Sequence, residues 1–191
     1  MRRVVVISGA PGAGKSTLAA PLAEILGLPL ISKDTIKECL HDSLAAAAPD
    51  DALAWSRMLG AAAMELLWAL AARFPAAVVE ANFRPHSAYE LAKLRDLGAV
   101  IVEVNCHCAP AEAARRYEQR ARAGERRQTH VVAMLSDSDL AQFDRPMGVG
   151  RQIAVDTTTA VDIPVLAAEI ARAFNLEHGR VQALEPTLQT P

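Results

Sequence analysis

The chain alternates short apolar runs with longer stretches in which apolar residues recur at helical spacing. Five apolar runs are typical of strands buried in a parallel sheet: residues 3–8, 28–31, 76–80, 99–104 and 152–156. Helices are predicted between and after them, at about 15–26, 34–40, 51–73, 85–97, 110–123 and 162–174. This alternation predicts an α/β fold of right-handed βαβ units, with a parallel sheet covered by helices on both faces. Ligands then bind at the carboxyl ends of the strands.

Length and composition narrow the class of protein. A chain of 191 residues, 51% apolar and 22% charged, predicts one folded domain. No apolar run approaches the roughly 18 to 20 residues of a membrane span, and the run after Arg3 is too short for an export signal. The three cysteines are an odd number without framework spacing, which predicts a reduced, cytoplasmic protein. Residues 177–191 contain two prolines and few apolar residues and are predicted to form a flexible tail.

Three further observations disfavour a zinc site, a GTPase and a nucleic-acid substrate. Cys106, His107 and Cys108 lack the second ligand pair that a tetrahedral zinc site needs, so a buried strand end is the preferred interpretation. The same segment does not carry the Asn-Lys-x-Asp pattern of guanine-specific proteins, so a GTPase is disfavoured. A net charge of -2 lowers, without excluding, the expectation of a nucleic-acid substrate.

A phosphate-binding motif, G-x-x-x-x-G-K-[ST], lies between the first predicted strand and the first predicted helix. Its glycines let successive backbone N–H groups point at phosphate oxygens, and the helix adds its positive N-terminal end. Lys15 is predicted to bridge the β- and γ-phosphates of ATP, and Ser16 to offer its hydroxyl to Mg²⁺. The predicted nucleotide contacts are Gly9, Pro11, Gly12, Ala13, Gly14, Lys15, Ser16 and Thr17.

Three other segments complete a resemblance to a known family. They are Ser32-Lys33-Asp34, the later Val78-Val79-Glu80-Ala81-Asn82-Phe83, and the arginine-rich helix at 110–123. With the phosphate loop they make residues 3–175 resemble P-loop kinases of the predicted-kinase type, also labelled AAA-family ATPases. This group is related to polynucleotide 5'-hydroxyl kinases, chloramphenicol phosphotransferase, gluconate kinase and zeta toxins. The resemblance implies a three-layer P-loop NTPase fold with a five-stranded parallel sheet, a kinase domain over 1–176 and an arginine-rich lid at about 112–130.

The resemblance also implies roles for the residues around the acceptor. Asp34 is expected to orient the acceptor hydroxyl and take its proton; the alternative is that it caps the following helix, and the two roles can coexist. Its neighbour Lys33 either attracts an anionic acceptor or stabilises this carboxylate. Glu80 is expected to reach Mg²⁺ through water or to contact the acceptor. Asn82 and Arg84 are expected to face the acceptor, with a turn-holding asparagine and a solvated arginine as the alternatives.

The lid is predicted from basic residues in and after the 110–123 helix: Arg115, Arg116, Arg120, Arg122, Arg126, Arg127 and His130. Arg116 and Arg120 are four residues apart and project from one helical face. They fit the resembled pattern best as phosphate ligands, with Arg126 and Arg127 left open. Guanidinium groups there would stabilise charge that develops between the β- and γ-phosphates.

The predicted function is ATP- and Mg²⁺-dependent transfer of the γ-phosphoryl group to a hydroxyl of a small molecule. A polynucleotide 5'-hydroxyl kinase is the first alternative, because the lid is basic. The second is a regulator in which ATP drives a conformational change without any acceptor. Membrane partners are not expected, and the oligomeric state is left open.

Overall fold

The computed structural model describes residues 1–122, 136–143 and 145–184. Its strands are β1 (Arg2–Ser8), β2 (Leu30–Ser32), β3 (Ala76–Glu80), β4 (Ala99–His107) and β5 (Arg151–Asp156). Its helices are α1 (Lys15–Leu26), α2 (Lys33–Leu44), α3 (Ala52–Ala71), α4 (Ala88–Asp96), α5 (Pro110–Arg122), α6 (Asp137–Ala141) and α7 (Ile163–Leu184). A single 3₁₀ turn, Ala45–Ala47, joins α2 to the loop before α3.

The five strands form one parallel sheet in the order β2-β3-β1-β4-β5. Successive side chains of β1 enter two apolar cores on opposite faces, as the pleat requires: Val5 and Ile7 on one, Val4 and Val6 on the other. Helices α1 and α7 cover the first face, and α3 and α4 cover the second. The predicted α/β fold, with helices on both faces of a five-stranded parallel sheet, is therefore confirmed.

Several element boundaries differ from the prediction, among them those of β2, α2 and α7, and the short helix α6 was not predicted. Strand β2 begins at Leu30 rather than at residue 28, because Gly27 ends α1 with a left-handed φ of 63° and Pro29 has no N–H for the ladder. Helix α7 continues to Leu184, past its predicted end at residue 174 and into the segment predicted to be a tail. That this segment is flexible stays a prediction, and residues 185–191 lie outside the described part of the chain.

A buried carboxylate joins the middle of the sheet to the loop before β5. Glu103 of β4 is completely buried and accepts hydrogen bonds from Ser8 Oγ at 2.6 Å, from the Met147 amide at 2.7 Å and from the Gly148 amide at 3.0 Å. These donors compensate the cost of burying a charge. The bonds fix the end of β1, where the phosphate loop begins, to the neighbouring strand.

None of the helices in the described residues is both long enough and apolar enough to span a bilayer.

Candidate active site

The phosphate loop fills residues 9–14, between the end of β1 and the start of α1. Gly9, Gly12 and Gly14 have φ values of 133°, 83° and 80°, which residues with a Cβ rarely adopt. At Gly12 a Cβ would also lie 2.1 Å from the carbonyl oxygen of Ala113 on α5. The loop therefore requires glycine there for its backbone conformation and for its close approach to α5. Helix α1 begins directly after Gly14, so its positive N-terminal end faces the loop. No side chain caps that end.

The side chain of Lys15, the first residue of α1, lies within this loop. Its Nζ donates a 2.8 Å hydrogen bond to the carbonyl of Ala10, and only 5% of the residue is exposed. Burial lowers the pKa of Lys15, while the negative charge of Glu80 acts in the opposite direction. An anionic phosphate would offset this desolvation, which matches the predicted role of Lys15.

Glu80 ends β3 beside the phosphate loop and is buried. Its Oε2 accepts a 2.7 Å hydrogen bond from Ser32 Oγ, and Ser16 Oγ lies 3.4 Å from its Oε1. Mg²⁺ binds oxygen ligands and usually takes one or two protein carboxylates together with substrate phosphates and water. A carboxylate beside the Ser16 hydroxyl, at the mouth of a phosphate loop, fits that ligand preference. No cluster of three acidic, histidine or cysteine ligands occurs in the described residues.

One cavity of about 390 Å³ joins the phosphate loop to the ends of β2 and β3, where the acceptor was predicted. It brings together nine of the predicted site residues: Pro11, Gly12, Gly14, Lys15, Ser16, Asp34, Glu80, Asn82 and Arg120. The other predicted loop residues lie elsewhere. Gly9 packs against Cys106 of β4, the buried Ala13 accepts a hydrogen bond from Thr157 Oγ1, and Thr17 lines an adjacent cavity.

Asp34 is the second residue of α2, so the alternative in which it is the N-cap of this helix is wrong. The helix begins one residue earlier than predicted, at Lys33, and Ser32 occupies the N-cap position. The Asp34 carboxylate instead lies 3.1 Å from Lys33 Nζ and lines the cavity that contains Lys15 and Glu80. It therefore lies beside the phosphate loop, and its role toward an acceptor stays a prediction.

Three predicted lid arginines have described side chains on α5. Arg115 is exposed and forms an ion pair with Glu112 at 2.6 Å. The two that were predicted to bind phosphate have different surroundings. Arg116 donates to Glu112 at 2.6 Å and to the carbonyls of Thr157 and Thr158 at 3.0 and 3.3 Å. Arg120 lines both the 390 Å³ cavity and a second one of about 720 Å³, bounded by residues of the 157–163 segment. Of the two, only Arg120 faces the phosphate-loop cavity.

The rest of the predicted lid lies largely outside the described residues, and so do Arg126, Arg127 and His130. Arg122 ends α5, and its side chain also lies outside the described part. The lid itself, like phosphate contact by Arg116 and Arg120, stays a prediction.

Arg84 follows β3 and is fixed by a buried acid. Its backbone amide and Nε donate to the two carboxylate oxygens of Glu90 at 2.6 and 2.9 Å. Its guanidinium remains half exposed and lines a third cavity, of about 870 Å³, together with Asn82. This cavity adjoins the Asp34 side of the phosphate-loop cavity, where the acceptor was predicted.

Three residues of the site were not predicted from the sequence. Lys37 of α2 is 5% exposed and donates a 2.7 Å hydrogen bond to Ser56 Oγ on α3, and Ser32 supports Glu80. One signal could have drawn attention to Lys37: the chain has 16 arginines and only four lysines, so each lysine is an unusual choice. Ser32 and Ser56 carried no such signal, because serine is a common residue type on protein surfaces.

The chain matches a known protein family. The family model of the AAA domain matches residues 4–146. Among solved structures, the chain is similar to a protein from Chloroflexus aurantiacus J-10-fl that is provisionally designated a kinase, with 26% identity and a TM-score of 0.76 over 90% of this chain and 98% of that one. No curated protein matches the sequence significantly.

Two further solved structures are less similar and show the fold. A gluconokinase from Sinorhizobium meliloti 1021 shares 18% identity, with a TM-score of 0.55 over 96% of this chain and 97% of that one. The APS kinase CysC of Mycobacterium tuberculosis, solved with AMPPNP and APS, shares 22% identity, with a TM-score of 0.55 over 91% and 98%. The chain therefore belongs to the AAA domain family and has the fold of the P-loop kinases.

Proposed function

We propose that this protein is a kinase that uses ATP and Mg²⁺ to phosphorylate a hydroxyl group of a small molecule. The observation that carries the proposal is the single cavity in which Lys15, Glu80 and Asp34 meet. A nucleotide-driven regulator that has no acceptor needs the first two residues but not a carboxylate placed to orient an acceptor hydroxyl. This favours transfer to an acceptor over the regulator alternative.

The roles proposed for the residues around the nucleotide follow from their positions beside the phosphate loop. Backbone N–H groups of the loop and the N-terminus of α1 bind the phosphates, and Lys15 binds oxygens of the β- and γ-phosphates. Ser16 and Glu80 would hold Mg²⁺, Glu80 directly or through water; the ion supplies positive charge to the phosphates when bound. Arg120 adds a guanidinium from the α5 side, and Arg116 would join it if α5 closes as a lid.

On the acceptor side, Asp34 orients the hydroxyl of the acceptor. The acceptor oxygen forms a bond to the γ-phosphorus as the bond from that phosphorus to the bridging oxygen of ADP breaks, and the hydroxyl proton passes to Asp34. Phosphoryl transfer is usually loose, so the hydroxyl need not be deprotonated early and a carboxylate of ordinary basicity is sufficient. Asn82 is proposed to bind the acceptor beside it.

The size of the acceptor space supports a small molecule. Ligand pockets for small molecules commonly enclose about 300–1,000 Å³, and the cavity behind Asp34 measures about 870 Å³. The gluconokinase named above and a shikimate kinase from Acinetobacter baumannii, solved with shikimate, have names that point to small hydroxyl compounds as substrates. The polynucleotide alternative keeps the basic α5 region in its favour, but no described observation on the acceptor side favours it.

The test is transfer of labelled γ-phosphate from ATP with Mg²⁺ to pooled sugars, sugar acids, nucleosides and antibiotics, beside a 5'-hydroxyl oligonucleotide. We expect label on one small-molecule pool, lost in both Lys15→Ala and Asp34→Asn. Asp34→Asn keeps the size of the side chain and should leave ATP binding intact, so it separates transfer from nucleotide binding. Full transfer by Asp34→Asn would contradict the role of Asp34, and label on the oligonucleotide alone would replace the small-molecule acceptor.

A further inference from the structure

The cavity of about 870 Å³ lies next to the phosphate-loop cavity, and the two share part of their lining. The shared residues are Pro11 of the phosphate loop and four polar residues: Lys33, Lys37, Ser56 and Asn82. These residues form the passage between the two cavities. An acceptor whose hydroxyl faces Asp34 therefore extends through a polar passage, and the part of the larger cavity beyond it surrounds the rest of the acceptor.

Beyond this passage, a large part of the cavity wall is apolar. Three segments contribute side chains to it: Leu53, Met58 and Met64 from α3, Ala81 after β3, and Phe143 after α6. Ala81 is buried in the apolar core that α3 and α4 cover, and Met64 packs against that core. The apolar wall is therefore continuous with the hydrophobic core of the domain.

Helix α3 also leaves space along this wall. Between Met58 and Met64 its lining residues are small: Gly60, Ala61 and Ala62. Large apolar side chains separated by small ones form a recess, and methionine side chains are flexible enough to follow the outline of a bound group. This shape suits a flat or branched apolar group.

Leu53 and Met58 are 40% and 55% exposed, although both line a cavity whose volume is typical of small-molecule sites. Exposed apolar side chains that are grouped in a groove with a polar rim are typical of ligand sites. An apolar ligand that covers them gains roughly four-fold in affinity for each methylene group that is fully buried. A polyol gains much less, because its hydroxyl groups would lose their hydration against this wall.

The charged side chains at this end of the cavity are bonded to other protein groups or exposed to solvent. Arg84 is paired with Glu90, Lys93 and Tyr89 donate to Glu65, Ser136 donates to Asp139, and Arg57 is exposed. An apolar group of the acceptor therefore covers the apolar side chains and leaves these pairs intact.

We propose that the acceptor is a hydroxyl compound with an apolar body, an aryl or branched alkyl group, which packs against Leu53, Met58 and Phe143 while its hydroxyl faces Asp34. This inference rests on the proposed kinase function and adds the chemical class of the acceptor. It makes the exposed apolar residues of α3 the ones that select such compounds over polyols.

The experiment measures binding without catalysis. The full-length protein is saturated with AMPPNP and Mg²⁺, so that the phosphate loop is filled. Three uncharged compounds are then titrated by ligand-observed NMR: sorbitol, 3-phenyl-1,2-propanediol, which is of nearly equal size, and 4-methyl-1,2-pentanediol. We expect at least one of the two apolar diols to bind roughly 10- to 100-fold more tightly than sorbitol, as the burial of one large apolar side chain contributes. The tighter of the two identifies an aryl or an alkyl body.

Three glutamine variants on α3 assign the effect. Leu53→Gln and Met58→Gln place a polar group on the cavity wall, and each should lower the preference for the apolar diol by about 3- to 10-fold. Both positions are already partly exposed, so the variants should fold. Leu70→Gln is the matched control, because Leu70 is also 40% exposed on α3 but lies outside the lining of these three cavities. It should leave the preference unchanged.

Four results would overturn the inference. They are sorbitol binding as tightly as the apolar diols, no binding of either diol at its highest soluble concentration, a preference that survives in both cavity variants, and an equal loss in Leu70→Gln. Failure of the kinase function looks different. If the diols bind through Leu53 and Met58 but no acceptor pool receives label, the apolar site stands and the kinase proposal falls. Transfer to a polyol, with no preference for apolar diols, gives the reverse result.

Discussion

Ser32 occupies the N-cap position of α2, yet its hydroxyl donates a 2.7 Å hydrogen bond to the Glu80 carboxylate on β3 instead of accepting one from its own helix. The N-cap serine of α4 behaves in the usual way, because Ser87 Oγ accepts from the Glu90 amide at 3.3 Å. A good capping residue is therefore used in α2 to orient the carboxylate that we assign to Mg²⁺.

Ser32→Ala tests this role. Removing the donor leaves one oxygen of the buried Glu80 carboxylate without this bond, so we expect the free energy of unfolding to fall by about 1–2 kcal/mol. We also expect phosphoryl transfer to need a several-fold higher Mg²⁺ concentration, since Glu80 is less firmly held. Ser87→Ala is the matched control: it should cost about 1 kcal/mol through the lost cap and leave the Mg²⁺ dependence unchanged. Equal Mg²⁺ dependence in both variants would argue against the positioning role.

Lys15 predicts a dependence of stability on pH. Burial lowers its pKa, so the charged form is destabilised in the folded protein relative to the unfolded chain. This cost is present at pH values below the folded pKa, and it disappears as the pH rises through the folded pKa towards the unfolded value near 10.4. Lys15→Met removes the charge. We expect this variant without nucleotide to exceed the wild type in stability near pH 7, by a margin that shrinks as the pH rises.

Urea denaturation of both proteins at several pH values between about 7 and 10 measures that margin. Lys93→Met provides the comparison, because its ammonium is partly exposed and paired with Glu65, which raises its pKa instead. A margin for Lys15→Met that is constant with pH would show that burial does not perturb this amine.

Gly12→Ala should be far more damaging than Gly27→Ala, although both glycines have a positive φ. At Gly27 no atom lies within 4 Å of an added Cβ, so the cost is the left-handed backbone alone, about 1–2 kcal/mol. At Gly12 the added Cβ meets the carbonyl of Ala113, so the loop or the first turn of α5 must also shift. We expect Gly12→Ala to lose ATP binding and Gly27→Ala to retain it, as titration with a fluorescent ATP analogue would show. Comparable ATP affinity in the two variants would contradict this assignment.

The three cysteines should differ widely in reactivity. Burial raises the pKa of Cys106 to about 12 and also raises that of Cys108, whereas Cys39 is exposed on α2. We expect a thiol reagent at about pH 8 to label Cys39 first. Cys108 should follow slowly, and Cys106 should react only on unfolding. Mass mapping of the labelled peptides over time gives the order, and early labelling of Cys106 would show that β4 opens behind the phosphate loop.

The fold was predictable because its signals are local. The apolar runs of β1, β3 and β4 are continuous, and the phosphate motif fixes the turn between β1 and α1. The start of α2 was not predictable in the same way, because the helix begins at Lys33 and leaves Asp34 beyond the cap position. Ser32, the residue before this start, bonds to Glu80, which lies 48 positions away and outside any short window of sequence.

The residues predicted around the acceptor show the same limit: contacts between distant parts of the chain cannot be read from sequence. The resemblance to P-loop kinases pointed to Asp34, Asn82 and Arg84, which lie within four residues of the ends of β2 and β3. It did not point to Lys37, whose burial results from the packing of α2 against α3. Helical periodicity in a single chain cannot tell which faces of two amphipathic helices meet.

Three of the four lysines in the chain line the two connected cavities: Lys15, Lys33 and Lys37. Amine-directed chemistry consequently reports on the site itself. Reductive methylation should modify the α-amino group and Lys93 first, and the extent to which the other three are modified becomes a measure of how often the site opens. Random amine coupling to a surface would, by the same reasoning, immobilise part of the protein through its own active site, so attachment through Cys39 is the better choice.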